Sequence, residues 1–407
     1  MDIRRARIAT SLVFLLFGTA LGVWTARIPT VKENLGLSDG RLTFALLSFA
    51  AGCILGMLAL GRLTDRFGSS RVLIPAAFLE GLLLIAPGFS GGLVALSIAL
   101  FAFGAAHGTL NIAMNANAIE VQRAWGRPIM SSFHAIYSIG GFLGAITGSV
   151  FAHRGVGVGT TFLAVGAAVL VLAAWASRWL LPGAPAAAGE PGPEVDGARP
   201  GGRSLMLVFF GVLVLCTLVG EGAAADWSAV YLRDNLGAST GFAAYGYAAF
   251  SIMMTAGRLF GDRLVTALGP VLLVRLSGAL AALGLGTALV LDHPWAGVAG
   301  FGLLGVGLSC IAPQVFSAAG NLDPQRAGRA LSLVVSIGYA GFLLGPILIG
   351  AVATVVGLPA ALWIPVVLAL FVAASAGAMR TTTAADHGSR PGRFSRTGAP
   401  GAPGSRR

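Results

Sequence analysis

Twelve times along the chain an apolar stretch of about twenty residues runs on until charged or turn-forming residues stop it. The stretches fall near 8–27, 42–60, 72–89, 93–119, 131–152, 157–180, 205–230, 241–260, 270–291, 295–318, 330–354 and 358–379. A helix rises about 1.5 Å per residue and a bilayer core is about 30 Å thick, so each stretch suits one crossing. Unbroken apolar runs of this length, without the alternation of a strand, predict helices. Two segments break the pattern. Residues 181–204, LPGAPAAAGEPGPEVDGARPGGRS, are rich in Pro and Gly and predict a flexible connection. Residues 381–407 have the same character and predict a disordered tail.

The two sides of that connection repeat one another. Trp24 is followed by Lys32-Glu33-Asn34-Leu35-Gly36-Leu37-Ser38 and then by Gly61-Arg62-Leu63-Thr64-Asp65-Arg66. Trp227 is followed by Arg233-Asp234-Asn235-Leu236-Gly237-Ala238-Ser239 and then by Gly257-Arg258-Leu259-Phe260-Gly261-Asp262-Arg263. In a membrane protein a parallel duplication builds two similar bundles about a shared axis. The expected fold is therefore all-α: twelve transmembrane helices in two pseudo-symmetric six-helix bundles, 1–180 and 205–380, with the linker 181–204 between them.

Composition agrees, with 56% hydrophobic residues, 11% charged and a mean hydropathy of +0.83. A soluble domain is about a quarter charged. Charge then orients the chain, because cytoplasmic loops collect Arg and Lys. With both termini inside, 22 of the 27 basic residues fall on the inner side. Arg27, Lys32, Arg41, Arg154 and Arg233 fall outside. The net charge of +11 reports orientation and contact with anionic membrane lipids, and no basic stripe with stacking aromatics points to nucleic acid. Cys53, Cys216 and Cys310 lie inside apolar stretches and read as packing residues.

The run Gly61 to Arg71, GRLTDRFGSSR, resembles the major facilitator superfamily, whose pattern Gly-x-Leu-x-Asp-Arg-x-Gly-x-x-Arg is met at Gly61, Leu63, Asp65, Arg66, Gly68 and Arg71. GTLNIAMNANAIEVQR, MSSFHAIYSIGGFLGA and EGAAADWSAVYLR resemble the fucose-permease-like branch and related uncharacterised bacterial inner-membrane proteins. The resemblance implies alternating access, with helices 1, 4, 7 and 10 lining a cavity and helices 2 with 11 and 5 with 8 sliding between bundles. Glycines at 52 and 56, at 140, 144 and 148, and at 341, 345 and 350 suit either such sliding contacts or plain close packing. By the same resemblance Asp65 sits by the start of helix 11 with Arg329, and Asp262 by the start of helix 5 with Arg127. Gly61, Asp65, Arg66, Arg71, Arg127, Arg258, Asp262, Arg263 and Arg329 form the expected gate at the inner face. Where sugar symporters of that branch carry an acid in helix 4, this chain has Asn111, and helix 1 carries none.

Ionisable groups within a bilayer are costly and mark function by default. Glu221 and Asp226 lie on the seventh span, and His107, Asn111 and Asn115 recur every fourth residue on the fourth, hence on one face. Trp24, His107, Asn111, Asn115, Glu221 and Gln314 are the expected solute contacts, and Glu221, His107 and Asp226 the expected proton carriers. Glu80 reads as a packing residue, Glu120 as a gate or a structural bridge to Arg123, Arg127 or His134, and Trp227 as an interfacial anchor. Glu221 could alternatively pair permanently with Arg27. No phosphate-cradling loop, metal-spaced His and Cys, or nucleophile with a base occurs, so no enzyme, metal or cofactor is expected. The expected activity is secondary transport of a small, sugar-like solute across the bacterial cytoplasmic membrane by a proton-coupled monomer. A drug or metabolite exporter of the same fold is the alternative, and a non-transporting receptor or membrane enzyme a remote one.

Overall fold

The structure, a computed structural model, describes residues 2–183, 200–322 and 324–379. The tail expected at 381–407 and most of the linker lie outside the described residues. Among the described residues twelve helices follow one another: α1 (Ile3–Asn34), α2 (Asp39–Phe67), α3 (Ser69–Leu83), α4 (Leu93–Trp125), α5 (Met130–His153) and α6 (Val158–Ser177). The second half holds α7 (Pro200–Val230), α8 (Thr240–Leu268), α9 (Pro270–Leu291), α10 (Pro294–Leu322), α11 (Ala327–Val356) and α12 (Leu358–Met379). Among the described residues there is no strand. Eleven of these helical segments are long and apolar enough to cross a membrane by composition alone. The exception, α8, spends its length on Tyr245, Tyr247 and Arg258, which dilute its apolar character.

The repeated words of the sequence are helix punctuation. Gly36 and Gly237 both take left-handed backbone, φ 57° and 68°, which only glycine adopts cheaply. Each follows the end of a helical run, and the serines after them, Ser38 and Ser239, stand at the N-cap positions of α2 and α8, where Ser239 accepts from the Phe242 N–H. Proline accounts for a break of another kind. Pro313 has no N–H to offer the Ser309 carbonyl, and α10 is interrupted by a turn at Ser309 and Cys310.

Packing repeats as well. In the first bundle α1 lies along α5 and α2 along α4; in the second, α7 lies along α11 and α8 along α10. The glycine stripes serve these contacts. A Cβ at Gly140 or Gly144 would strike the α1 backbone at Leu15 or Thr19, and one at Gly52 or Gly56 would strike the α4 backbone at Phe101 or Ala105. A Cβ at Gly341 would likewise strike the Leu215 carbonyl of α7, while Gly345 faces Val219 with a little more room. The glycines at 52 and 56 therefore belong to close packing within a bundle, and the sliding-seam reading of them is corrected. Between bundles, α2 meets α11 and α5 meets α8.

Candidate solute site and gate

The hydrogen bonds between bundles cluster in the half of each helix nearer the face that carries residues 2 and 379, here called the terminal face. At its rim Asp65 accepts from the backbone N–H of Gly328 (2.7 Å) and of Arg329 (3.0 Å), the first turn of α11. Asp262 stands in the corresponding place, accepting from Ser132 N–H with both oxygens at 3.2 Å in the first turn of α5. Each carboxylate meets unsatisfied N–H groups and the positive end of a helix dipole. At the same rim Arg123 reaches the Gly320 carbonyl and Asn321, and Gln122 donates to Ser317 Oγ at 2.7 Å while its own oxygen caps α5. Gln314 Nε2 donates to Ser131 Oγ at 3.2 Å, and Ser332 Oγ to the Met57 carbonyl.

These contacts end at a polar cluster near mid-helix. Asn115 donates to both oxygens of Asn111 at 2.9 Å, which leaves the Asn111 amide group free to donate to Tyr339 Oη across the bundles at 3.2 Å. Ser138 Oγ donates back to the His134 carbonyl and accepts from Arg258 Nη1 at 2.6 Å. Arg258 Nη2 stands 3.5 Å from Glu221 Oε1, and its Nε has no partner. Glu221 keeps 20% side-chain exposure and Arg258 only 7%. The Arg258 position departs from expectation. Read from the sequence as a charge at an inner helix end, it lies about 15 Å from the Leu268 end of α8 at about 1.5 Å per residue, buried between α7 and α5. A signal was present: Arg62 stands three residues before its motif aspartate and Arg258 four, so one extra residue turns this cation to another face of the helix.

Other expected residues lie elsewhere. His107 is turned away from the space between bundles: Nδ1 lies 2.7 Å from Glu80 Oε1, and the ring stacks on Phe17 with centroids 3.8 Å apart. Both partners are fully buried, so His107 is corrected from cavity lining to a pair inside the first bundle. One face of α4 looks inward along its length only where neighbouring helices leave space, and at His107 α1 and α3 fill it. Trp24 is likewise buried, packed against Phe162 of α6. Asp226 is exposed near the far end of α7. Arg27 gives Nη2 to the Val156 carbonyl at 2.7 Å, so it does not serve as the partner of Glu221. Glu120 accepts from Ser69 and Asn117 within its own bundle. Arg66, Arg71, Arg127, Arg263 and Arg329 are exposed along the terminal face. Trp227 is half-buried beside Gly350. The backbone of Gly61 lies within α2, in its last two turns.

The profile of the Major Facilitator Superfamily matches residues 9–322 and again 212–400. The chain belongs to this family of membrane transporters. An uncharacterized MFS-type transporter of Yersinia pestis is 37% identical over 374 residues, covering 92% of this chain and 95% of the relative. Membrane protein MosC of Rhizobium meliloti is 32% identical, covering 90% and 88%. Among solved structures, the MFS transporter FucP in the outward conformation aligns with a TM-score of 0.76 at 16% identity, over 91% of this chain and 98% of that one. The proton:xylose symporter XylE bound to 6-bromo-6-deoxy-D-glucose aligns at 0.73 and 17%, over 92% and 94%. At these identities the likeness is one of fold.

Proposed function

We propose that this protein is a proton-coupled secondary transporter of a small polyhydroxylated solute, working by alternating access with its terminal face in the cytoplasm. The observation that carries the reading is the distribution of contacts between bundles: they join the terminal halves of the helices and stop at a polar cluster near mid-helix. In this reading the solute arrives from the far side and meets Asn111, Tyr339, Ser138, Glu221 and Arg258. Amide, hydroxyl and phenol groups there suit hydroxyls as both donors and acceptors. FucP and XylE, whose folds this chain shares, carry fucose and xylose with protons. The inner placement of the terminal face rests on the arginines that crowd it. Glu221, the partly exposed acid of the cluster, is the proton carrier, and Asp65 and Asp262 hold the closed face.

A thermal-shift screen of sugars, polyols, acids and drugs on purified protein, followed by counterflow in proteoliposomes, tests the reading. A stabilising polyol that exchanges saturably, and accumulates under an inward proton gradient, supports it. Liposomes with the protein that move no screened solute faster than empty ones would overturn it.

A further inference from the structure

The cluster contains one side chain that touches both the proton carrier and the opposite bundle. Arg258 belongs to the second bundle, where Nη2 faces Glu221 of α7, and it crosses to the first bundle through Nη1 on Ser138 of α5. The two contacts are unequal. The bond to Ser138 is 2.6 Å, whereas 3.5 Å to Glu221 is longer than the roughly 2.7–2.9 Å of a close charge-assisted pair. Nε–H, buried and without a partner, adds to what the guanidinium has not satisfied. The counterpart in the first half, Arg62, is exposed whereas Arg258 is buried, so the repeated motif does not by itself require a buried charge here.

We propose that Arg258 is a positioning residue that transmits the protonation of Glu221 to the contact between bundles, so that proton binding weakens the state closed at the terminal face. This rests on the reading of Glu221 as the proton carrier. With Glu221 ionised, the carboxylate offsets the burial of the guanidinium in the one position from which Nη1 reaches Ser138. Once a proton from the open side binds Glu221, the guanidinium is a buried charge without a counter-charge, which is strongly unfavourable. It must then swing toward other acceptors, and the bond to Ser138 is lost. A state with the bundles rearranged gains by comparison. The direction is that of symport: the proton loads from the open side and releases the latch that keeps the cytoplasmic side shut.

The groups that face the pair are His134 and Tyr137 of α5, Tyr339 of α11, Tyr247 of α8 beside Tyr137, and Cys310 of α10. Asp262 lies one turn along α8 from Arg258. An ionisation among these is the competing source of any pH response, so the test must separate Glu221 from them.

Asn34 and Asn235, exposed at matching ends of the two bundles away from the terminal face, accept spin labels as Asn34→Cys and Asn235→Cys in a background without Cys53, Cys216 and Cys310. Electron–electron distances are measured in nanodiscs between pH 5 and pH 8.5. In the otherwise wild-type protein the ratio of short to long distances is expected to rise about tenfold as pH falls, within the usual range of coupling between sites. Glu221→Gln should hold the acidic distribution at every pH. Arg258→Gln should lose the pH response although Glu221 is intact, and Arg258→Lys should restore it in part. Ser138→Ala should shorten distances at all pH values and weaken the response, because the bond that protonation breaks is already gone. Retention of the full response in Arg258→Gln overturns the proposal, and so does retention in Glu221→Gln, which would point to His134 or another neighbour. Solute counterflow without any pH-dependent distance change would sink this relay and leave the transporter reading standing.

Discussion

At the scale of single residues, three acids divide the work that the sequence assigned loosely. Asp65 is a helix cap supplied by the opposite bundle, so it contributes to closure only while the bundles are together. Losing such a cap costs about 1 kcal/mol, or a factor of about five in the balance between states. Asp65→Ala should slow transport about that much while the amount of protein in the membrane stays the same; Asp65→Asn, whose amide oxygen still accepts, should lie between. Wild-type rates in both would remove Asp65 from the gate. Glu221→Gln should abolish accumulation driven by a proton gradient and spare exchange, as measured by counterflow, and unchanged accumulation would exclude Glu221 as the carrier. Glu80 carries a different expectation. Its removal leaves His107 Nδ1 buried without a partner, at a cost of about 1–3 kcal/mol. Glu80→Ala should lower the unfolding temperature yet leave proton coupling per folded molecule intact; lost coupling at unchanged stability would make the pair functional instead. Sequence spacing could place His107 and Asn111 on one face of a helix, but only packing decides which part of that face meets another helix.

At the scale of helices, the length of each apolar run predicts a crossing, and each of the twelve runs falls on one helix, overshooting the helix end only at α3 and α6. The charge pattern was less reliable for α8, because a span ended at 260 sets Arg258 at its inner edge, whereas the helix continues to Leu268. The glycines were legible as close-packing residues, but their partners were not, since a small residue permits approach without naming the helix that approaches. The consequence can be measured. Gly144 lies against the Thr19 carbonyl, whereas a Cβ at Gly141 would find its nearest neighbour, the Gly18 carbonyl, at 3.8 Å. Gly144→Ala should therefore cost about 1–3 kcal/mol by overpacking, seen as a lower unfolding temperature, and Gly141→Ala should be nearly neutral. Equal behaviour of the two would refute the assigned α1 and α5 contact.

At the scale of the molecule, the duplicated motifs carry most of the architecture. The Asn-Leu-Gly words end α1 and the π-helical turn Tyr231–Asn235 that extends α7, and the two motif aspartates each cap a helix of the other bundle. What the repeat could not disclose is where matching residues end up differently, and Arg258, buried where its counterpart Arg62 is exposed, is the clearest case. The account rests on the terminal contacts being a gate that opens during transport rather than a permanent weld. Gln122 and Ser317 face each other across the bundles at 2.7 Å, which makes them a place to hold the gate shut. Gln122→Cys with Ser317→Cys, joined by a short thiol cross-linker in the background free of native cysteines, should stop counterflow of the solute identified by the thermal-shift screen. Cleaving the linker should restore it. Undiminished counterflow with the cross-link formed would contradict the account.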